Sequence, residues 1–419
     1  MNRNEKLYFG DIHNHCNISY AHGDLQDALE NVKQRLDFCS VTGHAHWTDI
    51  PERNEHTNHI VDFHEKGFEK LRGNWNASLE TMRKAQVPGA FLVFPGFEVH
   101  SSAHGDRAIV YKDEEGELLY PESIPELHKM LAELAENGRP ALALPHHIGY
   151  HRGARGINWA TFNPSVSPVV EIYSMHGAAE TTEGPLPFLH SMGPADEAST
   201  ARHGLAAGHT FGFVADTDHH SAHPGSYGHG MHGVWAKELS RDAIWEALFN
   251  RRTYALTGDR IRLDYTIGDA PMGAIRTAEG ERTLRVGLEG GAAVDYLDVI
   301  HNNRLIRRFT PVEMRPGAGP AGGDTPAAGP TAGAAGGVAA GGGSGDTIRT
   351  KLYLELGWGP RGKAQPWEVD LTIDEGEILD VEPRFRGPDV LTPEQEADSE
   401  SGAFYSWCRR TGERSVHLE

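Results

Sequence analysis

His13 and His15 stand two residues apart in Asp11-Ile-His-Asn-His15, and four further groups of histidine and acid come after them: Thr42-Gly-His44, Glu98-Val-His100, Pro145-His-His147 and Thr217-Asp-His-His220. Of the 25 histidines, only His301 and His417 lie beyond residue 232. Imidazole and carboxylate are the ligands of borderline divalent ions such as Zn, Mn and Fe. Several such ions held close together need ligands gathered from many segments of a chain. Side chains alternate faces along a strand, so His13 and His15 are expected on one side, able to grip one ion. Asp218 and His220 repeat that spacing, which favours them over Thr217 and His219, while Asp216 shares their parity. Glu98 ends the run Phe91-Leu-Val-Phe-Pro-Gly-Phe97. A carboxylate there is costly unless cations neutralise it, so a position bridging two ions is expected. His46, His100, His147 and His219 neighbour better candidates and are expected to orient them. His56, His59 and His64 fall in a polar stretch and are expected to face solvent.

Positioning these groups requires a regular scaffold. From Leu7 to about Leu256, short apolar runs alternate with amphipathic stretches, which predicts an α/β architecture with mostly parallel strands. Strands are expected at Leu7–His15, Phe38–His44, Ala90–Val99, Arg107–Tyr111, Ala141–His146, Val169–Met175 and Phe211–Asp218, enough for a closed barrel. Helices are expected at Asp24–Leu36, Gly67–Ala85, Ser123–Asn137 and Ser240–Arg252, the third opening with the capping-box spacing of Ser123 and Glu126. The histidine groups then sit at the C-terminal ends of strands, the face on which βα-barrel active sites assemble. Beyond Thr257-Gly258-Asp259 the pattern turns strand-like at Ile261–Ile267, Thr283–Leu288, Tyr296–His301, Lys351–Leu356 and Trp367–Ile373. The division predicted is a hydrolase barrel over 1–258 and a small β-sandwich-like accessory domain over 259–419. The Gly/Ala/Pro-rich stretch 315–346 is expected to be a flexible insertion without a catalytic role.

Composition narrows the function classes. The chain has 419 residues with 39 basic and 59 acidic side chains, net −20. That charge disfavours a broad polyanion-binding surface and nucleic acid as a main partner, so an anionic substrate must be drawn by local positive charge such as bound cations. Three cysteines without paired spacing point to a reducing compartment, and no apolar run has signal-peptide or membrane-span length, so the expected location is the cytoplasm, without membrane association. Oligomeric state is not legible.

The order Asp-Ile-His-Asn-His, Val-Thr-Gly-His, Gly-Phe-Glu, Pro-His-His and Thr-Asp-His-His resembles the motif series of the polymerase and histidinol phosphatase (PHP) superfamily of metal-dependent phosphoesterases. The resemblance covers about residues 7–260. It implies a distorted seven-stranded (β/α) barrel and two or three divalent ions. It further implies ligand roles for His13, His15, His44, His104, His146, Asp218 and His220 and a bridging role for Glu98. Tyr20-Ala-His-Gly23 stands where the family often has Ser-Asp-Gly, so His22 would replace an aspartate. Thr42-Gly-His44 lacks the carboxylate of the family's Thr-Asp-His. His146 is preferred to His147 because it is closer to the apolar strand. The segment Arg252-Thr-Tyr-Ala-Leu-Thr-Gly-Asp259, together with the strand-like segments after it, also resembles stand-alone members with a C-terminal β-domain, including ones similar to carbamate-hydrolysing enzymes.

The expected chemistry is hydrolysis of a small phosphomonoester or phosphodiester by a hydroxide bridging the ions. His176 or His223 is available to protonate the leaving group, and Arg152 or Arg155 to contact a phosphate. The same centre directed at a carbamate, ester or amide is the second expectation, and a metal-containing scaffold without catalysis the third. Cys16, directly after His15, should face away from the ligand pair, so a thiol nucleophile is not expected.

Overall fold

The structure is a computed structural model and describes residues 4–184, 186, 194–311, 369–372 and 415–418. In chain order its elements are β1 (Lys6–Asp11), α1 (Leu25–Lys33), β2 (Phe38–Cys39), β3 (Thr42–Trp47), α2 (Asn58–Ala85), β4 (Leu92–Val93), β5 (Gly96–His100), β6 (Arg107–Tyr111), α3 (Ile124–Glu136), β7 (Ala141–Pro145), β8 (Val169–Ser174), β9 (Gly177–Ala178), α4 (Ala201–Ala206), β10 (Gly212–Ala215), β11 (Met231–Ala236), α5 (Arg241–Phe249) and β12 (Thr253–Leu256). They continue with β13 (Arg262–Ile267), β14 (Ala270–Pro271), β15 (Leu284–Glu289), β16 (Leu297–His301), β17 (Arg304–Phe309), β18 (Val369–Thr372) and β19 (Ser415–Leu418).

The fold is mixed α/β, but the ladders of the described residues do not close into a barrel. They form a five-stranded sheet β12-β11-β1-β2-β4, a four-stranded sheet β3-β5-β6-β7 and a three-stranded sheet β10-β8-β9. Pairings β1–β2, β2–β4, β3–β5 and β8–β10 are parallel. Those of β11 with β1 and β12, and of β6 with β5 and β7, are antiparallel, which differs from the mostly parallel expectation. The expected runs Phe38–His44 and Ala90–Val99 are each interrupted, at 40–41 and 94–95, so one chain segment serves the first sheet and then the second. Pro95 has no N–H to donate to a ladder, which accounts for the second break.

Two strands of the five-stranded sheet escaped the sequence pattern. Met231–Ala236 is buried throughout, without the alternation that marks a half-exposed strand, and Thr253–Leu256 is too short to show a period. Helix α2 starts nine residues before the expected Gly67, and its buried positions Val61, His64, Phe68, Leu71, Trp75, Leu79 and Met82 recur every three or four residues. The main core lies under α1, α2 and α3 and includes Val32, Leu71, Met82, Phe97, Ile109 and Leu127; a second cluster packs α5 on Ile12, Phe38, Val214 and Val234.

After residue 259 expected strands are found as β13, β15 and β16, with β18 inside Trp367–Ile373, while β14, β17 and β19 were not anticipated. They form an antiparallel sheet β14-β13-β15 and the ladders β16–β17 and β18–β19. The stretch 315–346 and the expected strand Lys351–Leu356 lie outside the described residues. No helix among the described residues is long and apolar enough to cross a membrane.

Candidate metal centre

β1 ends at Asp11, so His13 and His15 extend beyond it in irregular backbone. They are fixed there by a second segment: His15 N donates to His219 O at 2.8 Å and Asp218 N to His13 O at 2.8 Å. Beneath them Asp11 accepts Thr217 Oγ1 at 2.5 Å and Gly225 N at 2.9 Å, while Asp216 accepts Ile12 N at 2.6 Å and lies 3.1 Å from His232 Nδ1. Asp216 therefore staples the two segments from below and joins no ligand grouping. Burial, with Asp216 alongside, raises Asp11 to about 6.

The expected convergence of i, i+2 pairs is present, though strand alternation does not produce it. β10 stops at Ala215, and Asp218 sits at φ 50, a left-handed conformation. His147 (φ 31) and Arg155 (φ 66) share that region, so unfavoured backbone is concentrated around the site.

Glu98 lies at the centre. Its Oε2 is 3.2 Å from His44 Nδ1, 3.3 Å from His15 Nε2 and 3.6 Å from His13 Nε2, while Oε1 is 3.1 Å from His146 Nε2 and 3.0 Å from His100 Nδ1. Asp218 Oδ1 is 3.0 Å from His15 Nε2 and 3.4 Å from His13 Nε2, and those two nitrogens are 3.2 Å apart. His220 turns its Nδ1 to the Asp218 carbonyl at 2.8 Å, leaving Nε2 as its outward atom. Glu98 Oε2, both ring nitrogens of His44 and Nε2 of His220 are buried without a hydrogen-bond partner.

Donor atoms this close, buried and unsatisfied, fit a cation. Ligands about 2.0–2.2 Å from an ion in tetrahedral array stand roughly 3.3–3.6 Å from one another, and octahedral neighbours stand closer. Four groups could each hold an ion: His13, His15 and Asp218; His15, His44 and His220; His44, Glu98 and His100; and Glu98, Asp106, His146 and His147. Sharing of His15, His44 and Glu98 between groups is the arrangement expected of a polynuclear centre. The donors are nitrogen and oxygen only; Cys16 and Cys39, both buried, join none of the groups.

The electrostatics derive from burial. Loss of hydration pushes His146 and His220 down to about 3 and His44 well below its ordinary value, keeping these rings neutral and their lone pairs available. Burial pushes Glu98 and Asp218 up, yet both are held well below the carboxylate range, Glu98 chiefly by His100 and Asp218 chiefly by His13. His13 is raised, despite desolvation, by Asp218 and Glu171.

Not every expected residue joins. His104 is half-buried with Nδ1 3.1 Å from Thr161 Oγ1, and the neighbouring Asp106 and His100 reach the groups instead. His22 donates its backbone N–H to His220 O at 2.9 Å, and its ring belongs to none of the groups. Arg152 is exposed, whereas Arg155 is buried with Nη1 3.2 Å from Asp106 Oδ2 and its guanidinium 4.6 Å above the Trp47 ring. His176 Nε2 is 2.9 Å from Asp218 Oδ2, and its Nδ1 is 2.8 Å from Tyr150 Oη. His223 lies farther out, with Nδ1 3.3 Å from Asn31 Nδ2. His64, expected in solvent, is buried, with Nδ1 2.7 Å from the Ile60 carbonyl and Nε2 3.3 Å from Arg155 Nη2; it lies on the inner face of α2. His100 Nδ1 is 2.8 Å from Asp106 Oδ2, and its Nε2 is 2.9 Å from Tyr20 Oη.

Sequence reasoning missed Asp106, Tyr150 and Glu171. Glu171 had a signal, a lone carboxylate inside Val169-Val-Glu-Ile-Tyr173; Asp106 and Tyr150 had none, because their roles arise from contacts with distant residues.

A family model described as a protein of unknown function (DUF3604) matches residues 188–270. An uncharacterised protein of Chlamydia pneumoniae is 26% identical over 259 residues, 57% of this chain and 41% of that protein. One of Chlamydia trachomatis serovar D is 30% identical over 182 residues, 37% of this chain and 28% of its own. The chain thus spans less than half the length of these curated relatives. Among solved structures, a two-domain protein containing a predicted PHP-like metal-dependent phosphoesterase from Bacteroides vulgatus is similar at 14% identity and TM-score 0.38, over 73% of this chain and 95% of that one. PsfC from Pseudomonas syringae is similar at 16% and 0.35, over 60% and 91%, and Endonuclease Q bound to a duplex with an abasic lesion at 13% and 0.31, over 58% and 56%. These likenesses are distant.

Proposed function

We propose that the chain is a metal-dependent hydrolase, and specifically a phosphoesterase acting on a small phosphomonoester or phosphodiester. The observation that carries this reading is Glu98, whose two buried oxygens stand 3.0–3.6 Å from five imidazoles of which three meet one unsatisfied oxygen. His13, His15, His44, Glu98, His146, Asp218 and His220 would hold two or three divalent ions, with Zn, Mn and Fe suiting the nitrogen and oxygen donors. Such ions supply Lewis acidity, bringing the pKa of a bound water towards neutrality and offsetting charge that develops on phosphorus oxygens.

The chain's own groups do the rest. His176, a buried imidazole between the Tyr150 hydroxyl and Asp218, is the group assigned to protonate a leaving oxygen, which would take the Nε2 proton in place of Asp218 Oδ2. Arg155 adds a fixed positive charge at the rim of the Asp106 group, where a chain of net −20 would otherwise repel an anion. Depth favours a small substrate, because Glu98, His146 and Asp218 are all at most 2% exposed.

Metal analysis of purified protein and turnover of p-nitrophenyl phosphate, bis-p-nitrophenyl phosphate and a naphthyl carbamate test the proposal. Phosphate ester turnover that falls on chelation is expected. Carbamate turnover alone would move the reading to a carbonyl centre, and bound metal without turnover would leave a scaffold. Glu98→Gln should lower metal occupancy and turnover by more than about 100-fold, since even outer partners of metal ligands matter on a 10–100-fold scale.

A further inference from the structure

Glu171 is a buried carboxylate for which the ligand groups have no place. It sits on β8, 1% exposed, between Val170 and Ile172. A charge there is costly without a specific partner. Its Oε2 is 2.7 Å from His13 Nδ1 and its Oε1 3.5 Å from the His147 backbone N–H, so it touches segments beyond the ends of both β1 and β7. It belongs to none of the four groups of ligand atoms.

Building on the proposed metal site, we infer that Glu171 is a positioning residue for that site: it accepts the Nδ1 proton of His13 and so commits the Nε2 lone pair to the ion. His13 Nε2 is the atom that lies 3.2 Å from His15 Nε2, 3.4 Å from Asp218 Oδ1 and 3.6 Å from Glu98 Oε2. A neutral imidazole carries one proton, and in the other tautomer that proton would stand among these donors and block them. The neighbouring ligand rings are held differently: His220 Nδ1 meets the Asp218 carbonyl at 2.8 Å and His146 Nδ1 the Leu144 carbonyl at 3.4 Å. A carboxylate polarises the ring more than a carbonyl does, so His13 becomes the strongest imidazole donor of the three.

The test measures Zn(II) and Co(II) affinity of full-length wild type, Glu171→Ala and Glu171→Gln by competition with a chromophoric chelator, together with the Co(II) absorption spectrum. Glu171→Ala should weaken the tightest ion by about 10–100-fold. Glu171→Gln, whose amide oxygen still accepts from Nδ1, should recover part of that loss. Wild-type affinity in Glu171→Ala, or a Gln variant no better than the Ala variant, would overturn the inference while leaving the metal site standing. A wild type that binds no ion would remove both. Should Glu171→Ala fail to fold, imidazole 15N shifts of the zinc-loaded wild type decide: a protonated His13 Nδ1 is expected, and ligation through Nδ1 overturns the role.

Discussion

His146 and His220 are buried where an imidazolium would lose its hydration, and both are pushed down to about 3. His22, lowered to about 4, and His44, His64, His104, His128 and His147 are shifted the same way, each led by desolvation. For these rings the unfolded chain takes up protons below pH about 6.5 while the folded chain does not, so folding loses stability as pH falls through that value. His13, His100 and His232 are raised, as are Asp11 and Glu171, and they work in the opposite direction. The lowered groups are the more numerous, so chelator-treated protein should melt several degrees lower at pH 5.5 than at pH 7.5. An equal or higher melting temperature at pH 5.5 would show that these rings are hydrated and the ligand pocket open.

At the scale of elements, α3 shows how far local chemistry reaches. Ser123 Oγ accepts Glu126 N at 3.3 Å, as the capping-box spacing predicts, and Glu126 Oε2 accepts Glu122 N at 2.5 Å, one residue before the expected partner. Ser123→Ala should cost about 1 kcal/mol, visible in thermal melting, without changing metal content, because α3 supplies no ligand. A loss of metal in that variant would mean that α3 governs the site. The same element explains what sequence conveys and what it withholds. Ser123, Pro125 and Glu126 act on neighbours a few residues away, and both edges of α3 came out within a residue. His13, His44, Glu98, His146, Asp218 and His220 were legible because chemistry sets their residue types apart, whatever their backbone. Strand pairing was not legible: a closed barrel of mostly parallel strands was expected, whereas the ladders stay open and several are antiparallel, because register between β1 and β11, some 225 residues apart, is decided by packing. The backbone carrying Asp218 and His147 was equally hidden, since only the folded surroundings hold a non-glycine residue at positive φ.

At the scale of the whole molecule, the division expected from sequence falls at residue 258, just before β13. The donor groups bury several ligand atoms that have no hydrogen-bond partner, among them Glu98 Oε2 and both ring nitrogens of His44, so bound ions should act as structural parts as well as chemical ones. An ion at 100 times its dissociation constant adds about 2.7 kcal/mol to folding, and chelation should lower the melting temperature accordingly. The proposed boundary at residue 258 crosses a packed seam. Trp235 is 2% exposed, donates Nε1–H to Leu263 O at 2.9 Å and lies 4.7 Å beneath the Arg262 guanidinium, while Tyr254 Oη donates to Ile261 O at 2.7 Å and accepts Leu263 N at 3.3 Å. Leu263 and Tyr265 pack against the main core from the far side of that boundary. Cutting after residue 258 therefore strips cover from two large aromatics, each worth roughly 1.5–3 kcal/mol when fully buried. The 1–258 fragment should keep its metal stoichiometry, since His13, Glu98 and Asp218 all precede the cut, yet melt well below a 1–275 fragment that retains β13. Equal melting temperatures for the two would show that the seam contributes nothing and that β13 belongs with the strands after it; loss of metal from 1–258 alone would show that β13 braces the site through β11, whose neighbour β1 leads into His13 and His15.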